Sequence, residues 1–167
     1  MDVALRDLAA HEVECVKWAL YEAVSWAPDR ELPPYEALVD HPELLRYHRE
    51  WGRSGDAGIV AIDGDGVVGV AFYRLFTDDD HGHGYVDAET PELGIAVAAG
   101  YRGRGVGTRL MRGLEQVARG AGMRRLSLSV DPENPALRLY ERLGYRELSR
   151  DDARGVRMLL ELERASR

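Results

Sequence analysis

Residues 93–112 read Leu-Gly-Ile-Ala-Val-Ala-Ala-Gly-Tyr-Arg-Gly-Arg-Gly-Val-Gly-Thr-Arg-Leu-Met-Arg, and this stretch is the strongest sequence signal for the fold. A β-rich apolar run ends in a glycine-rich turn, and a helical pattern follows directly. Backbone N–H groups point outward at the start of such a helix, where the helix dipole is positive. Glycines let a ligand approach this backbone, and two arginines in the turn add positive charge. The stretch therefore predicts a site for a phosphate or pyrophosphate group.

Two common phosphate-binding motifs differ from this turn in spacing. A P-loop places a lysine directly after its last glycine, whereas Gly107 is followed by Thr108. A dinucleotide-binding turn has the spacing GxGxxG, whereas residues 103–107 have the spacing GxGxG. In addition, no acidic residue closes the strand predicted at 126–130. The sequence therefore disfavours both motifs.

Strand and helix patterns continue on both sides of the turn. A helical pattern spans residues 10–27, and prolines separate it from a second helical region near 35–52 that is interrupted before Pro42. Elsewhere, β-rich runs are predicted as strands, and an asparagine followed by a proline at 134–135 predicts another helix. The predicted strands lie at residues 58–62, 67–76, 93–98, 126–130, 145–150 and 155–162, with room for a short one at 3–5. This order predicts a mixed α/β or α+β fold.

Composition and charge restrict the classes of function. The chain has 167 residues, one cysteine and a formal net charge of −7. This length fits one domain, and the lone cysteine favours a reduced, cytoplasmic protein. The acidic balance argues against nucleic-acid binding, and no apolar run is as long as a membrane span requires. We therefore expect no nucleic-acid or membrane partner, whereas the oligomeric state, a homodimer included, stays open.

Two blocks of the sequence resemble the GNAT superfamily of acetyl-CoA-dependent N-acetyltransferases. Arg102-x-x-Gly105-x-Gly107 matches the family's Arg/Gln-x-x-Gly-x-Gly/Ala signature, and residues 92–97 look like its fourth strand. Residues 131–145 look like its second conserved block, in which an asparagine opens a helix and a tyrosine follows. The resemblance covers about residues 58–150. It implies an α/β fold with a twisted mixed sheet of six or seven strands, splayed in the middle and flanked by about four helices.

The resemblance also implies how acetyl-CoA binds as a cosubstrate, in the cleft between the splayed strands. The strand backbone would pair with the pantetheine arm, the turn would hold the pyrophosphate, and Asn134 would contact the same cofactor. The implied cofactor-binding residues are Ile95, Ala96, Val97, Arg102, Gly103, Arg104, Gly105, Val106, Gly107, Thr108 and Asn134. The implied organisation is a single acetyltransferase domain over 1–167, with a helical acceptor-side region at 1–57, an acetyl-CoA-binding core at 58–150, and a C-terminal strand and tail at 151–167.

Acetyl transfer to an amine requires a base, because a protonated amine cannot attack, and it benefits from an acid for the leaving thiolate. The resemblance assigns the base to Glu92, which acts directly or through water, and the acid to Tyr140. Glu89 and the loop histidines His81 and His83 remain alternatives for the base. Tyr140 also fits a buried helical stripe, so it is expected to pack in the core with its hydroxyl toward the cleft.

Charge is separated along the chain, and this predicts the acceptor. Residues 94–114 contain four arginines and no acid, whereas residues 77–92 contain six acids and no lysine or arginine. A basic turn suits a polyanionic cofactor, and an acidic stretch suits a cationic amine on a small molecule or peptide. We expect no metal, because two histidines beside aspartates lack an evident third ordered ligand. The alternative functions are a noncatalytic acyl-CoA-binding sensor module and a nucleotide-dependent enzyme.

Overall fold

A computed structural model describes residues 2–163 and contains a seven-stranded sheet and five α-helices. The strands are β1 (Val3–Asp7), β2 (Ala57–Asp63), β3 (Gly66–Arg74), β4 (Glu92–Val97), β5 (Arg125–Val130), β6 (Arg146–Asp151) and β7 (Gly155–Glu161). The helices are α1 (Val13–Val24), α2 (Tyr35–Val39), α3 (Pro42–Leu45), α4 (Val106–Gly120) and α5 (Ala136–Arg142), with one 3₁₀ turn at Ala99–Tyr101. The predicted mixed sheet is confirmed. The expected tail at 164–167 lies outside the described residues.

Two details differ from the predicted element order. The region 1–57 is not only helical, because β1 pairs antiparallel with β2 from Val3↔Asp63 onward and extends the short strand predicted at 3–5. The second helical region is interrupted before Pro42 as predicted, but its two parts are separate helices, α2 and α3, so the helix count is five instead of about four. The split follows from Pro42, which begins α3, while the His41 Nδ1 atom accepts the Glu43 N–H at 3.2 Å as a cap.

The sheet has the strand order β1-β2-β3-β4-β5-β7-β6. All neighbouring strands are antiparallel except β4 and β5, which are parallel. β3 and β4 pair from Gly69↔Val97 to Arg74↔Glu92, whereas β4 and β5 register only at Glu92↔Ser127. Beyond that pair the two strands diverge. The sheet is therefore split by a V-shaped cleft, and Glu92 lies at its vertex.

Helices cover both faces of the sheet and hold β4 in place. α4 buries Leu110, Met111 and Leu114 in the cluster that contains Ala71 and Tyr73 of β3. On the opposite face, α1 buries its apolar residues against alternate residues of β3 and against Ala96 of β4. The two faces of β3 thus serve two helices, because successive side chains of a strand point to opposite sides.

A buried ion pair fixes the segment between α3 and β2. The Arg74 guanidinium at the end of β3 donates two hydrogen bonds to the Asp56 carboxylate, both of 2.8 Å, and neither side chain is more than 2% exposed. Arg74 also donates to the carbonyls of Arg46 and Arg49, at 2.9 and 2.7 Å. The Gly52 N–H donates to the same Asp56 carboxylate at 2.9 Å. Segment 46–56 is therefore fastened to the strand ends that surround the vertex.

Replacing Arg74 with methionine should destabilise the fold strongly. Arg74→Met retains an apolar side chain but leaves the Asp56 carboxylate buried without its cation, which costs about 3–5 kcal/mol in the free energy of unfolding. The matched control Arg150→Met removes an exposed ion pair with Glu147 and should cost less than about 1 kcal/mol. Urea unfolding of the three proteins measures both values, and equal losses would contradict this account of segment 46–56.

Candidate active site

The V-shaped cleft contains a cavity of about 910 Å³, large enough for an extended ligand. Its walls come from β4 and β5, from the glycine-rich turn, and from α1 and α5. The sequence-predicted site residues that line it are Glu92, Ile95, Ala96, Val97, Arg102, Gly103, Gly105, Gly107, Thr108, Asn134 and Tyr140. Arg104 and Val106 do not line it: Arg104 is exposed, and the side chain of Val106 is buried in the core below α4. Val106 therefore offers a ligand only its backbone N–H.

The cleft-facing edge of β4 presents backbone groups at every second residue. Just after β4, the Ala98 N–H donates to the Val68 carbonyl of β3. Just before β4, the Pro91 carbonyl accepts a hydrogen bond from the Ser127 N–H of β5. Because peptide groups alternate along a strand, those of Ile95 and Val97 point into the cleft and those of Ala96 bond to β3. The backbone of Ala96 therefore faces β3, and Ala96 forms part of the cavity wall.

The turn after β4 places N–H groups at the rim of the cleft. Gly103 and Gly105 have φ angles of +73° and +82°, a left-handed conformation that other residues rarely adopt. A Cβ atom at either glycine would meet nothing within 4 Å, so the backbone conformation, not space, requires glycine. No side chain caps α4 after Gly105, and the first-turn N–H groups of such a helix lack intrahelical partners. The turn therefore offers several donors to an anion.

The guanidinium of Arg102 makes its contacts within the chain, to β4 and α1. Its Nε atom donates to the Val97 carbonyl at 2.9 Å, and its Nη2 atom lies 3.9 Å from the Glu22 carboxylate of α1. Arg102 thus ties the turn to the end of β4 and to the helix that covers it. Its charge still lies at the rim of the cavity, beside the donors of the turn.

Glu92 is a buried carboxyl group at the vertex of the cleft and is only 2% exposed. Tyr47 donates its hydroxyl to Glu92 Oε2, and the N–H groups of Gly82 and Gly84 stabilise the charged form. Burial outweighs these contacts and raises the pKa of Glu92 to about 7. A carboxyl group with this pKa exchanges protons at neutral pH, as a general base requires.

The loop at residues 82–84 fits closely around this carboxyl group. A Cβ atom at Gly84 would lie 2.7 Å from the backbone of Leu128 and 3.0 Å from Cγ of Glu92. Burial and the Glu92 carboxylate raise the pKa of Tyr47, so its hydroxyl stays protonated and donates. The sequence does not place Tyr47 beside Glu92, because nothing local in its helical segment indicates a contact with residue 92. The glycines that alternate with histidines at 81–84 are a sequence signal that the loop backbone lies close to other groups.

Tyr140 lies on α5, lines the cavity, and is 7% exposed. Burial raises the pKa of its phenol, which therefore carries its proton at neutral pH and can donate it. α5 begins at Ala136, one residue later than predicted, and Asn134 Oδ1 accepts the Ala136 N–H at 3.0 Å. This contact fixes the start of the short helix that carries Tyr140.

The alternative bases lie in different places. Glu89 is exposed and does not line the cavity, whereas His83 does. His81 lies outside the cavity, with its ring stacked on Tyr85 at a centroid distance of 4.2 Å and its Nδ1 atom 2.8 Å from the Gly82 carbonyl. Among the candidates, Glu92 alone combines burial in the cavity with a pKa that is raised to about 7.

Residues 2–163 contain neither a metal-binding cluster nor a membrane-spanning helix. No group of three or more histidine, cysteine, aspartate or glutamate residues in this part of the chain is arranged to hold a metal ion. None of its helices has the length and apolar character needed to cross a membrane.

Comparison with known proteins identifies the family. The sequence pattern of the Acetyltransferase (GNAT) family matches residues 18–145, and the chain belongs to this family. Similar solved structures include PaiA N-acetyltransferase from Thermoplasma acidophilum in complex with coenzyme A, which is 15% identical with a TM-score of 0.71 over 96% of this chain and 99% of that one. The GNAT domain of S. lividans PAT is 21% identical, with a TM-score of 0.67 over 96% and 90%. The ribosomal-protein-S18-alanine N-acetyltransferase of Escherichia coli is 16% identical, with a TM-score of 0.65 over 99% and 97%.

The raised pKa of Glu92 makes stability depend on pH. A carboxyl group whose folded pKa lies above its unfolded value stabilises the fold below about pH 4.5, and this stability is lost as the pH rises through about 7. The variant Glu92→Gln has no such charge. Its stability relative to the parent protein should therefore rise by about 3 kcal/mol between pH 5 and pH 8.

The matched control is Glu115→Gln, a buried glutamate of α4 that pairs with Arg112 and Arg119. This change removes ion pairs and should lower the stability at neutral pH. Denaturant unfolding at several pH values measures the differences, and a Glu92→Gln gain that is independent of pH would contradict the assignment.

Proposed function

We propose that the protein is an N-acetyltransferase that moves the acetyl group of acetyl-CoA to a primary amine by direct attack in a ternary complex. The observation that carries this proposal is the placement of Glu92, a buried carboxyl group with a pKa of about 7, in the same cavity as Tyr140 and the N–H-rich turn. Membership of the GNAT family supports acyl transfer as the reaction class.

The residues present fit an acyl-CoA cosubstrate. The N–H groups from Gly103 to Thr108 would hold the pyrophosphate, and the exposed backbone edge at Ile95 and Val97 would pair with the pantetheine arm. The Oδ1 atom of Asn134 already accepts the Ala136 N–H at the start of α5. Its amide NH₂ group would therefore serve as the donor to the cofactor. When bound, acetyl-CoA supplies an activated thioester for attack by an amine.

Side chains of the protein then accept and donate the protons of the reaction. Glu92 accepts one proton from the ammonium form of the acceptor, directly or through water, so that the nitrogen can attack the carbonyl carbon. Backbone N–H groups at the edge of β4 stabilise the oxyanion that forms. As the carbon–sulfur bond breaks, Tyr140 donates its proton to the leaving thiolate and regains one from the nitrogen, which loses its second proton as the amide forms. The products are the acetylated amine and CoA.

We also propose that the chain is a single cytoplasmic domain with two functional regions. Residues 1–57 would form the acceptor side and residues 58–150 the acetyl-CoA-binding core. Support comes from Tyr47, which reaches from the first region to Glu92 in the second, and from Arg46, which lines the same cavity.

Two substitutions in the cleft should lower turnover without weakening acetyl-CoA binding. Glu92→Gln removes the base and should reduce kcat at least a hundredfold, because general base catalysis contributes about 10²–10⁴-fold. Tyr140→Phe should reduce kcat about tenfold or more. Release of CoA in the presence of a broad panel of amines measures turnover, and calorimetry measures the Kd of acetyl-CoA.

The matched controls lie outside the cleft. Glu115→Gln and Tyr145→Phe alter buried groups of the same types and should leave kcat unchanged. The parent protein should show kcat/KM rising with pH through about 7, and Glu92→Gln should lose that dependence. Tight acetyl-CoA binding with no CoA release from any amine would instead support a noncatalytic sensor module.

A further inference from the structure

A second cavity, of about 420 Å³, adjoins the loop that surrounds Glu92. Among the described residues, its polar side chains come from Arg46, His81, His83, Tyr85, Arg154 and Arg157, and none of them is acidic. Arg46, Gly82 and His83 also line the larger cavity. A ligand held in the second cavity therefore lies next to the candidate base. We call this second cavity the basic pocket.

Two of the six acidic residues of segment 77–92, Asp80 and Asp87, pair with arginines from other segments. Asp80 lies 3.9 Å from Nε of Arg46 and 3.5 Å from Nη2 of Arg49, and Asp87 lies 3.2 Å from Nη2 of Arg125. Asp78 accepts a hydrogen bond from the Tyr85 hydroxyl. Arginines from other segments thus balance charges that are unopposed in the local sequence. Segment 77–92 therefore carries less uncompensated negative charge than its sequence suggests.

The arginines of the basic pocket are positioned from β7 and its preceding turn. Arg157 donates to the Tyr85 carbonyl at 2.8 Å through Nη1 and to Ser149 Oγ at 3.2 Å through Nε, which leaves its Nη2 atom for a ligand. Within residues 2–163, the guanidinium of Arg154 has no hydrogen-bond or ion-pair partner. Guanidinium groups bind carboxylates and phosphates through paired N–H donors, so the pocket matches an anion.

We propose that the basic pocket binds an anionic group, a carboxylate or a phosphate, on the same acceptor molecule whose amine reaches Glu92. The acceptor class is then a small amino carboxylate or an amino-group-bearing phosphate ester. This inference rests on the proposed acetyltransferase function for the role of the amine, whereas the anion site itself is testable without any turnover.

The binding test uses inorganic phosphate and acetate as probes of the protein saturated with CoA, so that the turn is already filled. At constant pH and ionic strength, the imidazole NMR signals of His81 and His83 should shift saturably with at least one probe. Arg154→Gln should weaken that binding at least fivefold, whereas Arg150→Gln, an exposed arginine outside the pocket, should not. Absence of a saturable shift, or equal weakening in both variants, would overturn the proposal.

The kinetic test compares amines in matched pairs with and without the anion. An α-amino acid and its amide form one pair, and phosphoethanolamine and ethanolamine form the other, so that the two arms separate carboxylate from phosphate. The anionic member of one pair should have a kcat/KM at least tenfold higher, and Arg154→Gln should abolish that difference through KM. Equal or better use of the neutral amines, or of spermidine, would overturn the inference and leave the acetyltransferase function standing. Saturable phosphate binding without acetylation of any amine would support the anion site and contradict the function.

Discussion

The architecture depends on one constraint: β4 and β5 pair at a single position, Glu92↔Ser127, and diverge beyond it. Backbone groups that lose a neighbouring strand must find other partners, because unpaired buried N–H and C=O groups are costly. On β4, Arg102 supplies one such partner for Val97, and the remaining edge faces the cavity. The divergence therefore creates both the space for an extended ligand and the row of backbone groups that can pair with it.

At the vertex of the cleft, a buried carboxyl group lies among contacts that favour its charged form. Burial opposes the charge of Glu92, while Tyr47 and the N–H groups of loop 82–84 favour it, and the balance places the pKa at about 7. Tyr47 is held there by segment 46–56, which the buried Arg74–Asp56 pair fastens to β3. Stability and chemistry are thus coupled, because an ion pair that supports the fold also holds the hydroxyl that contacts the candidate base.

Local sequence signals predicted the features that depend on local backbone geometry. The strand, glycine turn and helix at 93–112 follow from φ angles and helix capping, and this stretch forms the β4–α4 side of the cleft. Strand register lay beyond the pattern, so the sequence does not show that the backbone of Ala96 faces β3 while that of Ile95 and Val97 faces the cleft. The basic pocket was also missed, because Arg46 and Arg157 meet loop 81–85 only after the chain folds. Likewise, the arginines that pair with Asp80 and Asp87 are distant in sequence, so the sequence alone does not show these ion pairs.

A crystal structure of the protein with bound CoA tests the central claim most directly. We expect pyrophosphate oxygens within about 3.2 Å of the N–H groups of residues 103–108, a common hydrogen-bond distance. We also expect the pantetheine arm along Ile95 and Val97, with the sulfur atom between Glu92 and Tyr140. CoA bound outside the cleft, or a sulfur atom remote from both side chains, would contradict the account.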